Sequence, residues 1–277
     1  MTMAHIRTIL LASLLAACAG RSEPAPLPRP SGDARPDEGD ARVSLGFGYE
    51  GSASVERRDS ILMALPSGGR QLQQLSRSAR FSFSIDRRGA IRVRLDSLRL
   101  RPAGGREGEL IGTIWTGRLG PEGVRDLRAN RRGALVGELT AEVAGLFPAI
   151  PRSGVVSGDS WADTTKGKRQ VEIFEASDER VSDWSVGRRM NRDGVLVLPV
   201  TARETYQQLG EGEQAGRAMR MSAEGRRSTT YYLTVTGRID AIVATDTASR
   251  LITIPSTRQA VPTTQIVRTR VQFRTPS

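Results

Sequence analysis

The tripeptide Gly158–Ser160 is the part of the chain that most resembles a catalytic motif. A serine that follows a tight turn is typical of a hydrolase nucleophile, which needs a neighbouring base. The chain has one histidine, His5, and one cysteine, Cys18, and both lie near the N-terminus. The base would therefore have to be Lys166, Lys168 or a carboxylate. We interpret the tripeptide instead as a turn that leads into a strand.

Two carboxylate pairs are the remaining candidates for acid–base chemistry, Asp159 with Asp163 and Glu172 with Glu175. A glycosidase needs two such groups in one cleft, about 5–9.5 Å apart. The sequence does not bring either pair together, so a hydrolase is the least favoured function. His5 lies in a segment that the mature chain is expected to lose, as described next. Serine–histidine and cysteine–histidine catalysis and histidine-bound metals are therefore excluded. We predict no catalytic residue, no metal and no cofactor.

The N-terminus has the form of a secretory signal. A charged start precedes a short apolar run, Thr8–Ala17, whereas a membrane-spanning helix needs about 20 apolar residues. Leu15, Ala16, Ala17 and Cys18 resemble the bacterial lipobox. The resemblance implies that residues 1–17 are a lipoprotein signal peptide, cut immediately before Cys18, and that the Cys18 sulfur carries a diacylglycerol.

A lipid anchor on Cys18 would hold the mature protein on a membrane, because each buried CH₂ contributes about 0.8 kcal/mol. Ala19 follows the cysteine. In Gram-negative lipoproteins an aspartate at this position is the usual signal for staying in the inner membrane. The resemblance therefore implies an outer-membrane protein that faces the periplasm.

Residues 18–42 predict a tether. Prolines crowd its first half, and its second half is rich in glycine and charge. Such a composition has little to bury and stays disordered. A flexible coil of this length reaches roughly 25–30 Å. We place the folded domain at residues 43–277.

Period-two alternation of apolar and polar residues predicts strands throughout that domain. It begins at Val43, and it forms a hairpin from Phe81–Ile85 and Ile91–Leu95 around Arg87–Gly89. One-sided alternation indicates antiparallel sheet with one buried face. Further strands are predicted in these segments: Ile111–Leu119, Val195–Tyr206, Thr229–Val235, Ile239–Ala244, Leu251–Ile254 and Thr264–Phe273.

Residues Val136–Phe147 break this alternation. Their apolar positions recur at helical intervals, and Pro148 and Pro151 follow. The predicted fold is therefore mainly β, a single large antiparallel curved sheet of half-barrel or barrel-like form with one short central helix. A sandwich remains an alternative, because alternation does not define strand order.

The chain of 277 residues carries 41 basic and 30 acidic residues, a net charge of +11. Arg125, Arg128, Arg131 and Arg132 form a dense cluster that could bind anions, because guanidinium groups pair bidentately with phosphate. Lipid A or phospholipid headgroups would be suitable partners. Nucleic acid is not, since the signal peptide exports the protein and no aromatic residues interleave with the arginines.

The mature chain resembles a family of envelope lipoproteins of GC-rich Gram-negative bacteria. The residues that carry this resemblance are the lipobox, Arg58–Ser60, Asp96–Leu98, Leu146–Pro151, Gly158–Thr165 and Val261–Pro262. In architecture alone, with its lipobox, tether and β-rich domain, it is similar to the lipid-carrier lipoproteins LolA and LppX. That similarity implies a curved sheet that holds acyl chains under a helical lid.

Two binding functions follow as hypotheses. The first is a lipid or amphiphile ligand in a cavity of about 300–1,000 Å³, lined by Phe81, Phe83 and Ile91. The second is a scaffolding module that binds an envelope protein through an exposed apolar patch or a free sheet edge.

Overall fold

A computed structural model describes residues 41–64, 68–105, 107–171, 173–214 and 216–275. These residues belong to one compact unit that begins at Pro36. Its apolar core lies entirely within that unit. The chain from Pro36 onward therefore contains the packing that folds it. The predicted signal peptide, Cys18 and the predicted tether up to residue 40 lie outside the described residues.

The described residues form twelve strands, two α-helices and one short 3₁₀ turn, Pro255–Thr257. The helices are α1 (Glu107–Leu110) and α2 (Ala134–Ala144). The strands are β1 (Tyr49–Ala64), β2 (Arg70–Ile85), β3 (Ala90–Arg101), β4 (Ile114–Gly120), β5 (Gly123–Ala129), β6 (Ser160–Val171), β7 (Phe174–Val186), β8 (Met190–Arg192), β9 (Val195–Gln214), β10 (Arg217–Thr234), β11 (Ile239–Ile254) and β12 (Gln259–Arg274).

All the strands join one antiparallel sheet in the order β5-β4-β3-β2-β1-β12-β11-β10-β9-β7-β6, with β8 paired to β9. The sheet is open, and its edge strands are β5 and β6. Helix α2 contacts both of them. The predicted fold, a mainly β protein with one large antiparallel sheet and a central helix, is confirmed.

Helix α2 is shorter than predicted. Alanine, leucine and glutamate occupy seven of the eleven positions of residues 134–144, but Gly145 follows, and Pro148 disfavours helical geometry at Phe147. The predicted end at Phe147 is therefore wrong. Phe147 nevertheless lies in the core, where its ring packs edge-on against Phe83 and Phe273 with centroids 5.6 and 6.4 Å apart.

The apolar core lies between the inward face of the sheet and α2. Val136, Leu139 and Val143 of the helix are buried against strand residues such as Phe81 and Trp115. Polar contacts fix the helix at its middle and at its C-terminal end.

The middle of α2 is held because the Trp115 Nε1–H donates to Thr140 Oγ1 at 2.8 Å. At its C-terminal end, the Tyr231 hydroxyl donates to the Gly145 carbonyl at 3.2 Å. The helix is thereby bound to strands on opposite sides of the sheet, β4 and β10.

The first predicted strand is wrong in its bounds. Alternation from Val43 indicated a strand there, but β1 begins at Tyr49. Val43 instead forms an isolated bridge with Val155, and the Arg42 guanidinium donates to Asp159 at 2.8 Å. Strand β1 also continues to Ala64, well beyond the predicted segment. The prediction missed this part because charged residues replace apolar ones on the inward side of the strand.

Tyr206 occupies space that Gly225 leaves open. The two residues are direct neighbours across β9 and β10, and the tyrosine ring covers the glycine. A methyl group at Gly225 would overlap that ring and lie 2.9 Å from the Thr247 carbonyl oxygen. The position of Tyr206 therefore requires glycine at residue 225.

We expect Gly225→Ala to lower the free energy of unfolding by about 1–3 kcal/mol, because overpacking displaces Tyr206. Gly167→Ala is the matched control, since a methyl group there meets nothing within 4 Å. Denaturant unfolding of both variants measures the effect. Equal stability of the two variants would contradict the tight Tyr206–Gly225 contact.

Candidate functional site

The inward face of the sheet changes from apolar to charged partway along its strands. On β1 the inward residues run from Val55 to Arg57 and Asp59, and on β2 they run from Ala79 to Arg77. The strand register places the switch from apolar to charged residues at the same level on neighbouring strands, since Arg57 lies opposite Arg77. The charged layer that results is called the charged belt here. Its strand residues are Arg57, Asp59, Arg77, Asp178, Arg180, Glu204, Arg227, Asp246 and Arg250.

Arg180 is a hub of the charged belt. Its Nε donates to Asp178 Oδ2 at 2.6 Å, and its Nη1 donates to Glu204 Oε2 at 3.3 Å. The guanidinium also lies over the Tyr206 ring, 4.9 Å from the centroid. Gln208 donates to the other oxygen of Asp178 at 2.7 Å. Strands β7 and β9 are thus joined by charge as well as by their backbone bonds.

Further contacts of the belt lie within β1 and among β9, β10 and β11. Arg57 donates to both oxygens of Asp59, at 3.1 and 3.0 Å. The Tyr206 hydroxyl donates to Asp246 Oδ1 at 2.7 Å. The Nε of Arg227 lies 3.9 Å from Glu204 Oε2. The belt satisfies most of its charge internally.

Arg77 connects the belt to helix α2. It forms ion pairs with Glu138, at 3.2 Å, and with Glu142, which lie one turn apart on the helix. The side chains of Arg77 and Glu142 are only 7% and 8% exposed. One oxygen of Glu142, Oε1, and the Nε of Arg77 are buried with no hydrogen-bond partner among the described residues.

A cavity of about 440 Å³ lies between the belt, the inward sheet face and α2. It is called the interior cavity here. Apolar side chains from the sheet and from the end of α2 form one part of its wall, and charged groups form the other. Its lining includes Ile61, Leu75, Leu146, Ile242, Ala244, Ala248, Val267 and Val271, together with Arg57, Asp59, Glu138, Glu142, Arg180, Tyr206, Arg227, Asp246 and Arg250.

The phenols beside the cavity resist ionisation. Burial raises the pKa of Tyr231 to about 12, and the neighbouring Glu204 also raises it while Arg227 opposes it. Burial raises the pKa of Tyr206 too, with a further contribution from Asp246. For Arg180, burial lowers the pKa, but Asp178 and Glu204 overcome this and raise it above its ordinary value. The tyrosines are neutral and Arg180 is charged at physiological pH.

Phe81, Phe83 and Ile91, predicted to line a ligand cavity, pack instead in the solid part of the core. Phe81 is fully buried and meets Trp115 edge-on, with centroids 6.0 Å apart. None of the three lines the interior cavity. Helix α2 and Phe147 cover the concave face of the sheet at this height, and Ile91 also lines a shallow depression elsewhere on the surface.

The four predicted anion-binding arginines do not meet at one site. Arg125 and Arg128 lie on β5, and Arg131 and Arg132 follow it before α2. All four are exposed. Arg125 pairs with Glu122 and lines a surface groove, whereas Arg131 donates to the Glu109 carbonyl. The other three line no part of that groove.

The interpretation of Gly158–Ser160 as a turn before a strand is confirmed. Gly158 has a φ of 90°, Asp159 accepts the Val156 N–H at 3.0 Å, and β6 begins at Ser160. Of the carboxylate pairs, Asp159 is bound by Arg42, and Asp163 is exposed on β6. Glu175 pairs with Lys168 at 3.5 Å, and Glu172 lies outside the described residues.

Two searches of the described residues are negative. Within them, no group of three or more histidine, cysteine or acidic side chains is arranged to hold a metal ion. None of the helices that the structure describes has the length and apolar character needed to cross a membrane.

The opposite face of the sheet carries a second, wider depression of about 960 Å³, called the outer groove here. Its leucines point away from the core. Leu209 is 66% exposed, and Leu62 and Leu251 are about 40% exposed. Polar neighbours such as Lys166 and Glu224 separate them.

Sequence reasoning missed the charged belt, although a signal was present. Arg57 and Asp59 stand at the same alternating positions as Val55, and so they share its face. A charged residue on a predicted inward position indicates a buried ion pair. Its partners could not be identified, because they come from strands far apart in the sequence.

We expect Arg77→Met to lower the free energy of unfolding by about 3 kcal/mol, because it leaves buried Glu142 without its counter-charge. Arg80→Met is the matched control on the exposed side of the same strand, and should change stability by no more than about 0.5 kcal/mol. Denaturant unfolding measures both. A loss of similar size in the two variants would show that the pairing of Arg77 with α2 does not stabilise the fold.

The tyrosines predict a loss of stability in alkali. Their pKa is 10.0 when unperturbed, and burial raises that of Tyr49 and Tyr231 to about 12 in the folded chain. Between these values the unfolded chain releases protons that the folded chain retains. We expect the free energy of unfolding to fall as pH rises from 10 to about 12. Denaturant titrations across this window test it, and a flat profile would contradict buried, neutral tyrosines.

No protein-family model matches the chain. A search of curated proteins also finds no match. The function is therefore argued from the residues and the geometry of the sites described above.

Proposed function

We propose that this is a non-catalytic binding protein of the bacterial envelope, anchored through Cys18 to the periplasmic face of the outer membrane, whose interior cavity binds a small amphiphile. The lipobox-like residues Leu15–Ala17 support the anchor. The observation that carries the ligand proposal is the divided wall of the interior cavity, apolar on one part and charged on the other.

An amphiphile matches both parts of this wall. An alkyl chain would cover apolar lining residues such as Ile242 and Val267, and a polar head would face the charged belt. The volume of about 440 Å³ is within the range of small-ligand sites. It is suited to one short chain rather than to a lipid with several chains.

The head group is expected to donate hydrogen bonds. Glu138 and Glu142 contribute carboxylates to the cavity wall. A hydroxyl or ammonium group on the ligand would donate hydrogen bonds to them. The arginines of the wall, Arg57 and Arg227 among them, would accommodate an oxygen acceptor on the same head.

A scaffolding role is the second candidate, because the outer groove exposes three leucines on one face. Exposed apolar side chains rimmed by polar residues are typical of protein-binding surfaces. An envelope protein bound there would cover Leu209, which does not line the interior cavity, although Arg250 lines both sites. Substitution of Leu209 therefore distinguishes the two functions.

We expect glycerol monolaurate, which has one alkyl chain and a hydroxyl head, to bind with a stoichiometry of one. Ala248 is buried and lines the interior cavity, so Ala248→Phe should fill it and weaken binding at least about tenfold. Isothermal titration calorimetry measures both values.

Val243→Phe is the matched control, because Val243 lies on the same strand but is 41% exposed on the opposite face. It should bind like the unchanged protein. If the Ala248→Phe variant does not fold, the Ala244→Val variant is used in its place, because it narrows the same cavity by a smaller amount. Equal binding by the control and the cavity variant, or no binding by the unchanged protein, would contradict an amphiphile site in this cavity.

A further inference from the structure

Five arginines converge on a surface groove of about 560 Å³ at the end of the sheet that holds the β2–β3 and β4–β5 turns. It is called the basic groove here. Two carboxylates, Glu122 and Asp126, also line it, so positive charge is in excess. The arginines are Arg87, Arg88, Arg118, Arg125 and Arg152.

The arginines of the basic groove are poorly neutralised. Arg118 and Arg125 lie directly opposite one another on β4 and β5, and like charges in that relation repel. Arg125 is paired with Glu122. In the part of the chain that the structure describes, no ion pair neutralises Arg87, Arg88, Arg118 or Arg152. The groove therefore favours an anion from outside the chain.

The groove lies where the chain enters the fold. Ser44, Leu45 and Phe47 form part of its wall, and the preceding Arg42 is fixed to Gly154 and Asp159. The described chain therefore begins at this end of the sheet. Phe47 is 45% exposed at the groove.

We propose that the basic groove docks onto the phosphate-bearing surface of an anionic bilayer. Guanidinium groups pair bidentately with phosphate oxygens, and several of them together bind a phosphate-bearing surface more tightly than a single one does. The choice of a bilayer rests on the proposed membrane attachment and on Phe47. An exposed aromatic ring beside cationic groups fits the boundary between headgroups and acyl chains, whereas a free phosphate would not use it.

Docking in this way would set the orientation of the domain. The β2–β3 and β4–β5 turns would face the membrane, and the far ends of the long strands would point away from it. The groove is separate from the interior cavity, because the two share no lining residue. Membrane docking and amphiphile binding are therefore independent properties.

The test uses the chain from Pro36 onward, which lacks Cys18, with vesicles of phosphatidylcholine alone or mixed equally with phosphatidylglycerol. Co-sedimentation should show binding to the anionic vesicles only, and higher salt should weaken it. Each arginine near an anionic surface strengthens binding about fivefold. Replacing Arg87, Arg88 and Arg118 together by glutamine should therefore weaken it about 100-fold.

The control replaces Arg58, Arg268 and Arg270 by glutamine, which removes the same charge from the exposed outward face of β1 and β12. It should bind within a fewfold of the unchanged chain. Phe47→Ser should weaken binding and leave its salt dependence unchanged.

Equal losses in the two triple variants would overturn the assignment to the groove. Release of the chain from vesicles by millimolar inorganic phosphate would instead identify a free-anion site. The vesicle test does not involve Cys18, so it is independent of the proposed anchor. The anchor is tested separately by the mass of the full chain, in which an unmodified Cys18 would contradict it.

Discussion

One short helix has to cover the concave face of a sheet whose strands are much longer than the helix. Helix α2 has 11 residues and is about 16 Å long, whereas β9 has 20 residues and extends about 66 Å. Beneath the helix and Phe147 the inward residues are apolar and form the main core, and a smaller apolar cluster of Phe174, Ala176 and Met221 lies farther along the sheet. Between the two, the inward positions carry Arg57, Arg180 and their acidic partners, which neutralise one another.

The interior cavity lies where the apolar part of the inward face meets the charged belt. One part of its wall is therefore apolar and the other part charged. Arg77 is central to the arrangement, because it binds Glu138 and Glu142 and so holds the helix against the belt. A site with one apolar and one charged part suits an amphiphile. The basic groove lies at the other end of the same strands, near the point where the chain leads back towards its proposed anchor.

The sequence predicted the class of fold because alternation on one face is a local signal. The hairpin of Phe81–Ile85 and Ile91–Leu95 and the helix near Val136 were recognisable for this reason. Most of β1 and all of β7 were not predicted, and of β6 only its start after the turn at Gly158 was. Charged or small inward residues such as Arg57, Arg180 and Ala176 interrupt the apolar pattern there. The belt itself depends on strand order: Tyr206 meets Asp246 only because β10 lies between β9 and β11.

The most direct test of the central claim is native mass spectrometry of the chain from Pro36 onward, purified from a Gram-negative periplasm, with extraction and identification of whatever remains bound. We expect one small, single-chain amphiphile per protein, which is displaced by glycerol monolaurate. A protein that is empty at every stage of purification and takes up no amphiphile would contradict it. The interior cavity would then be a by-product of a charge-paired sheet, and the outer groove would become the favoured site of function.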